Sequence, residues 1–135
     1  MGERTRTDFK KNNKIGLRNF KEASDFHDLC KTELVKMLRR LHPDNHATPI
    51  YTEYDPVNPR EDFPDIWMRL KTDIIVFEIQ EDVSKKWLKQ IQEQYETVDL
   101  IIIPLKEVLK DWKLKMKKVS HPVDALRTVL EVYVV

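Results

Sequence analysis

At 135 residues, with 41% of side chains hydrophobic, the chain carries enough apolar material for one compact core and not comfortably for two. A net charge of +1 argues against a uniformly basic binder of polyanions, and a single cysteine, Cys30, excludes an internal disulfide and any cysteine-based zinc site. Nowhere do apolar residues run to the roughly 18 that a membrane helix needs, so a spanning segment is excluded as well.

Residues 1–21 carry seven basic side chains against two acids and show no sustained periodicity. They read as a basic arm ahead of a single domain over 22–135, with Arg4, Arg6, Lys10, Lys11 and Lys14 as candidate nucleic-acid contacts. The arm lacks the apolar stretch of a secretory signal, which points to a cytoplasmic protein.

Residues 24–41 place Phe26, Leu29, Cys30, Leu34, Met37, Leu38 and Leu41 at helical spacing, with Ser24 as an N-cap and Pro43 past the end, so the pattern predicts an amphipathic helix. Glu33 is out of place in it. At about 100° per residue it falls between Leu29 and Met37, inside the apolar stripe. Such a carboxylate either reaches solvent at the edge of the stripe or is paired, protonated or bound to a metal.

Prolines at 43, 49, 56, 59 and 64 break the next segment and leave room for at most a short edge strand over 48–54. Residues 44–65 hold six acids against one arginine, an acidic block between two basic ones. His42, Asp44 and His46 alternate around Pro43 and read as loop residues before they read as metal ligands.

Residues 65–70 and 74–80 predict a hairpin closed by either a two-residue loop at Lys71-Thr72 or a four-residue loop from Leu70 to Asp73, with the same register in both cases. Its register sets Asp65 opposite Glu78, and the two-residue period puts Glu78 and Gln80 on one face. Like charges directly opposed across a ladder are destabilising, and a bound divalent cation is one reason to tolerate them. Oxygen donors of this kind suit Mg²⁺ or Mn²⁺. Trp67 shares the Asp65 face, either as core or as a stacking platform for a base.

A helix over 83–98, built on Val83, Trp87, Ile91 and Tyr95, leads to a strand over 99–105 whose Leu-Ile-Ile-Ile run reads as buried on both faces, completing a βαβ unit. A further helix over 106–118 carries six lysines against two acids. Lys85 and Lys86, with Lys113, Lys115, Lys117 and Lys118, are candidate contacts to a nucleic-acid backbone. The apolar residues of 123–135 either complete the core or pair with a second copy of the chain. The expectation is a single α/β domain with a small mixed sheet flanked by helices.

Glu33 on the first helix, Pro64-Asp65-Ile66, Phe77-Glu78-Ile79-Gln80, an amphipathic helix and Leu100-Ile101-Ile102-Ile103 together resemble the PD-(D/E)XK nuclease superfamily and, within it, the archaeal Holliday junction resolvases. The likeness covers residues 30–105. It implies a restriction-endonuclease-like core of order α-β-β-β-α-β and metal-dependent hydrolysis of DNA phosphodiesters. Asp65 and Glu78 would be ligands to Mg²⁺ or Mn²⁺, Glu33 the supporting helix carboxylate, and DNA and a second copy the partners. Gln80 stands where that superfamily normally has Lys, and a neutral amide supplies no positive charge to steer the attacking water. Some restriction endonucleases that resemble this pattern also carry Gln there, so Gln80 would position the water, and Lys85 or Lys86 could substitute for the Lys from a different backbone position. The departure leaves open a catalytically inactive relative that binds DNA, or a protein-interaction module built on the apolar C-terminal segment.

Overall fold

A computed structural model describes residues 23–52 and 64–135. Arg4, Arg6, Lys10, Lys11 and Lys14 lie outside the described residues, as do residues 53–63 of the acidic, proline-broken stretch. The described elements are α1 (Ala23–Leu41), β1 (Ile50–Thr52), β2 (Ile66–Leu70), β3 (Asp73–Gln80), α2 (Lys85–Gln94), β4 (Asp99–Pro104), α3 (Leu105–Met116), α4 (Pro122–Leu130) and a single 3₁₀ turn at Glu131–Tyr133. The order up to β4 is α-β-β-β-α-β, and the architecture is that of one small α/β domain.

The strands form one mixed sheet in the order β1-β2-β3-β4. β1 and β2 pair antiparallel, as do β2 and β3, whereas β3 and β4 run parallel and need the crossover that α2 supplies. The hairpin has the expected register, from Leu70↔Asp73 to Ile66↔Phe77. Lys71 in its loop takes φ 59°, a left-handed conformation that glycine or asparagine would hold at lower cost.

Alternation along the hairpin decides which side is core. Ile66 and Met68 of β2 with Ile75, Phe77 and Ile79 of β3 share one face, and all are buried. That face meets Phe26, Leu29, Leu34 and Leu38 of α1, Val108 and Trp112 of α3, and Leu126 and Leu130 of α4 in one cluster. Trp112 stacks on Phe26 with ring centroids 5.2 Å apart, and its indole N–H donates to the Pro122 carbonyl at 2.7 Å, so the bulkiest core side chain is also satisfied as a donor. Val76, on the opposite face, and Ile91 of α2 are buried outside that cluster, where the crossover covers the second side of the sheet.

Two elements differ from the sequence expectation, and the C-terminal segment takes one of the two courses that expectation left open. α2 is shorter, because the Ser84 hydroxyl accepts from the Trp87 N–H at 3.1 Å and caps the helix one residue after Val83, which stays exposed. β4 is an edge strand, and its apolar run is mostly half-buried, with Ile103 alone fully buried. The apolar C-terminal segment is spent on the chain's own core through Ala125, Leu126 and Leu130, leaving Val132 80% exposed. No helix among the described residues is long and apolar enough to cross a membrane.

Candidate functional site

At the open end of the hairpin, one step past the last paired residues Ile66 and Phe77, sit Asp65 and Glu78. Pro64 and Asp65 are not ladder residues. Instead the Asp65 carboxylate replaces a main-chain partner, its Oδ2 accepting from the Ile79 N–H at 2.7 Å. That bond pins Asp65 against β3 and brings its charge beside Glu78. Asp65, Glu78 and Gln80 line one open pocket with His27 and Asp28 from the first turns of α1, Glu81 after β3 and Leu105 at the start of α3.

The electrostatics of the pocket follow from this crowding. Burial, and then the negative charge of Asp65 alongside, push the Glu78 carboxyl up to about 7 from its ordinary 4.5. His27 supplies the nearest positive charge, with Nε2 3.0 Å from Asp65 Oδ1 and Nδ1 3.6 Å from Asp28 Oδ1. Burial alone would lower the His27 pKa, but its hydrogen bonds to Asp28 and Asp65 outweigh burial and raise it to about 9 from 6.5. Asp28 and Asp65 therefore share one imidazole, and Glu78 beside them is the carboxyl that is raised, to about 7.

Sequence reasoning missed His27, which lies one position past Phe26 on the shoulder of the apolar stripe. The available signal was its place two residues before Leu29 at the N-terminal end of α1, and that signal carries meaning only once α1 is known to cross the hairpin's open end.

Glu33 is not brought to this pocket, which corrects the expectation that it supports Asp65 and Glu78. It is 3% exposed and faces α4, where its Oε1 accepts from Arg127 Nε at 2.7 Å while Lys36 Nζ lies 3.5 Å from Oε2. The physical reason is helix phase. His27 and Glu33 are six residues apart, about 240° around the axis, so the helix that aims His27 at Asp65 turns Glu33 towards α4. Of the alternatives open to a carboxylate on an apolar stripe, pairing is the one realised.

Gln80 does line the pocket, but its amide donates to the Asp82 carbonyl at 3.3 Å. Lys85 and Lys86 are exposed at the start of α2 and are not among the residues lining the pocket. Trp67 is half-buried and stacked against Tyr51 of β1 at 4.3 Å between centroids. His42 and Asp44 serve the loop: the His42 ring lies 2.6 Å from the Val135 carbonyl oxygen, and Asp44 Oδ1 accepts from the His46 and Ala47 N–H groups.

The donor chemistry can be tested against a divalent cation. Two adjacent carboxylates supplemented by water are a donor set that Mg²⁺ takes, and a cation relieves the repulsion that raises Glu78. Against this, both Asp65 oxygens already have protein partners, and among the described residues no group of three or more His, Cys, Asp or Glu side chains is placed to hold a metal. A cation held by Asp65 and Glu78 would need water to complete its shell and His27 to give up Asp65. The chain matches no family model, no curated protein and no solved structure.

Proposed function

We propose that the protein is a divalent-metal-dependent DNA endonuclease of the PD-(D/E)XK type, with the pocket at the open end of the hairpin as its catalytic centre. The observation that carries this reading is the juxtaposition of Asp65 and Glu78 in one open pocket, at a cost in charge repulsion that His27 relieves only in part. Asp65 and Glu78 would hold Mg²⁺ or Mn²⁺, which when bound polarises a phosphoryl oxygen and acidifies a coordinated water.

The remaining steps belong to the chain's own groups. Asp65, anchored by the Ile79 N–H, keeps its carboxylate at a fixed place against β3. Glu78, whose carboxyl burial and the charge of Asp65 push up to about 7, would have to give up its proton to ligate the cation. Protonated His27 is placed to move from Asp65 to the phosphate as a cation, a role that the amide of Gln80 cannot fill. Glu33 and Arg127 contribute by fixing α1 against α4, which in turn sets His27 over the pocket.

A second reading has its own support. The His27–Asp65 ion pair already neutralises one carboxylate, and Gln80 is turned to a main-chain carbonyl, as in a nuclease fold retained for DNA binding after catalysis is lost. Labelled duplex and four-way-junction DNA, incubated with Mg²⁺ or Mn²⁺, separates the two. Cutting that needs metal and falls at least about a hundredfold in both Asp65→Asn and Glu78→Gln, with unchanged melting cooperativity, is expected on the first. DNA binding without cutting by the wild type establishes the second.

A further inference from the structure

The lysines of α3 do not form one diffuse basic rim. Lys106, Lys110, Lys113 and Lys117 line a single shallow groove with Leu109 and Leu114. At about 100° per residue those four fall within an arc of about 60°, whereas Glu107 and Asp111 lie outside it, about 60° and 100° beyond Lys110. Lys115 and Lys118 are off the stripe and line a neighbouring hollow against α4, beside Asp111 and Tyr133, which Lys117 and Leu114 at the end of the stripe also line. The segregation leaves a row free of acids on its own helix. At about 1.5 Å per residue it runs for about 16 Å.

The stripe also has a fixed starting point. Leu105, the first residue of α3, lines the Asp65–Glu78 pocket, and Lys106 follows it. Lys106 is ion-paired with Asp82, whose carbonyl accepts from the pocket's Gln80. Lys110, Lys113 and Lys117 form no ion pair among the described residues. A DNA strand in a duplex places one phosphate per 3.4 Å or so of axis, and farther apart along its winding path, so the stripe spans fewer than about five of them. Its apolar flank, Leu109 and the half-exposed Leu114, carries no charge that would repel a phosphate.

We infer that this stripe is a backbone track: it binds the phosphates of one DNA strand and leads that strand to the Asp65–Glu78 pocket. The inference rests on the nuclease reading for what happens in the pocket, but the binding itself can be measured without metal. Such a track touches phosphates and no base edges, so it holds duplexes of any sequence alike.

The test is the affinity for a labelled duplex in EDTA, titrated over salt. For Lys110→Gln/Lys113→Gln/Lys117→Gln, the slope of log affinity against log salt is expected to become shallower by about 2 to 3, at roughly 0.9 for each phosphate no longer neutralised. A control with the same loss of charge at exposed positions off the stripe, Arg40→Gln/Arg69→Gln/Lys89→Gln, is expected to change the slope by less than about 1. Equal changes in the two triple variants, or none in either, overturn the track. So does stripe-dependent binding of polyglutamate with no binding of duplex, which assigns the surface to an acidic protein instead. Metal-dependent cutting by the wild type with an unaltered slope in the stripe variant removes the track and keeps the nuclease. An altered slope without cutting keeps the track and removes the nuclease.

Discussion

α1 serves two acidic places in opposite ways. Towards α4 it presents Glu33, buried and matched by the Arg127 guanidinium at 2.7 Å, with Lys36 behind it. Towards the hairpin it presents His27, a single cation between Asp65 and Asp28 with Glu78 close by. In the first place charge is balanced and the geometry closed. In the second, three carboxylates surround one imidazole, and burial and then the charge of Asp65 push the Glu78 carboxyl up to about 7. A buried acid with its own arginine is what a fold needs to join two helices. An acid pair left short of positive charge stabilises nothing by itself, and it is the arrangement expected where a ligand completes the balance.

The contrast breaks most readily at Arg127. Removing it strands Glu33 in an apolar layer, so Arg127→Ala is expected to cost about 3 to 4 kcal/mol in urea unfolding. Replacing both partners with apolar residues, as in Glu33→Leu/Arg127→Met, should recover most of that loss. If Glu33 had a catalytic role, the double variant would be stable and inactive; on the present reading it keeps whatever activity the pocket has.

The pocket behaves in the opposite sense. Because the folded-state pKa of Glu78 lies above its unfolded value of 4.5, the folded protein binds the extra proton, and stability falls as pH rises from about 4.5 through about 7. Glu78→Gln removes that penalty and is expected to gain about 1 to 2 kcal/mol at pH 8, after allowance for the solvent that reaches the site, and nothing at pH 4. His27 is also raised, so its contribution is fully present below pH 6.5 and lost as pH passes through about 9. His27→Gln should cost about 1 to 2 kcal/mol at pH 6 and little at pH 10, read from midpoints at matched denaturant slopes. An unchanged pH profile in both variants would show that the pocket holds no surplus charge.

How much of this was legible in the sequence depended on how local each determinant is. The hairpin register and the meeting of Asp65 with Glu78 followed from strand alternation and a two-residue loop, both properties of contiguous chain. The order of elements followed from hydrophobic periodicity. The fate of Glu33 did not, because its partner is 94 residues away and nothing in the period of α1 says that an arginine on α4 will face it. His27 was hidden for the same reason. The half-buried state of β4 was misjudged because its apolar run cannot announce that the strand has a neighbour on one side only. The short α2 was in principle readable, since Ser84 is a good N-cap and the apolar spacing through Val83 overrode it.

The smallest expected effect is a control on the larger ones. Lys71 closes the hairpin at φ 59°, remote from the pocket, where a β-carbon is penalised. Lys71→Gly should stabilise the fold by a few tenths to about 1 kcal/mol, part of the gain being offset by the freer unfolded chain. The hairpin holds Asp65 against β3, so a tighter hairpin must not mimic relief of charge. The Lys71→Gly gain is therefore expected to be equal at pH 5 and pH 8, whereas the Glu78→Gln gain appears only on the alkaline side. Two variants on one hairpin, one insensitive to pH and one governed by it, would separate what holds the strands together from what the strands hold in place.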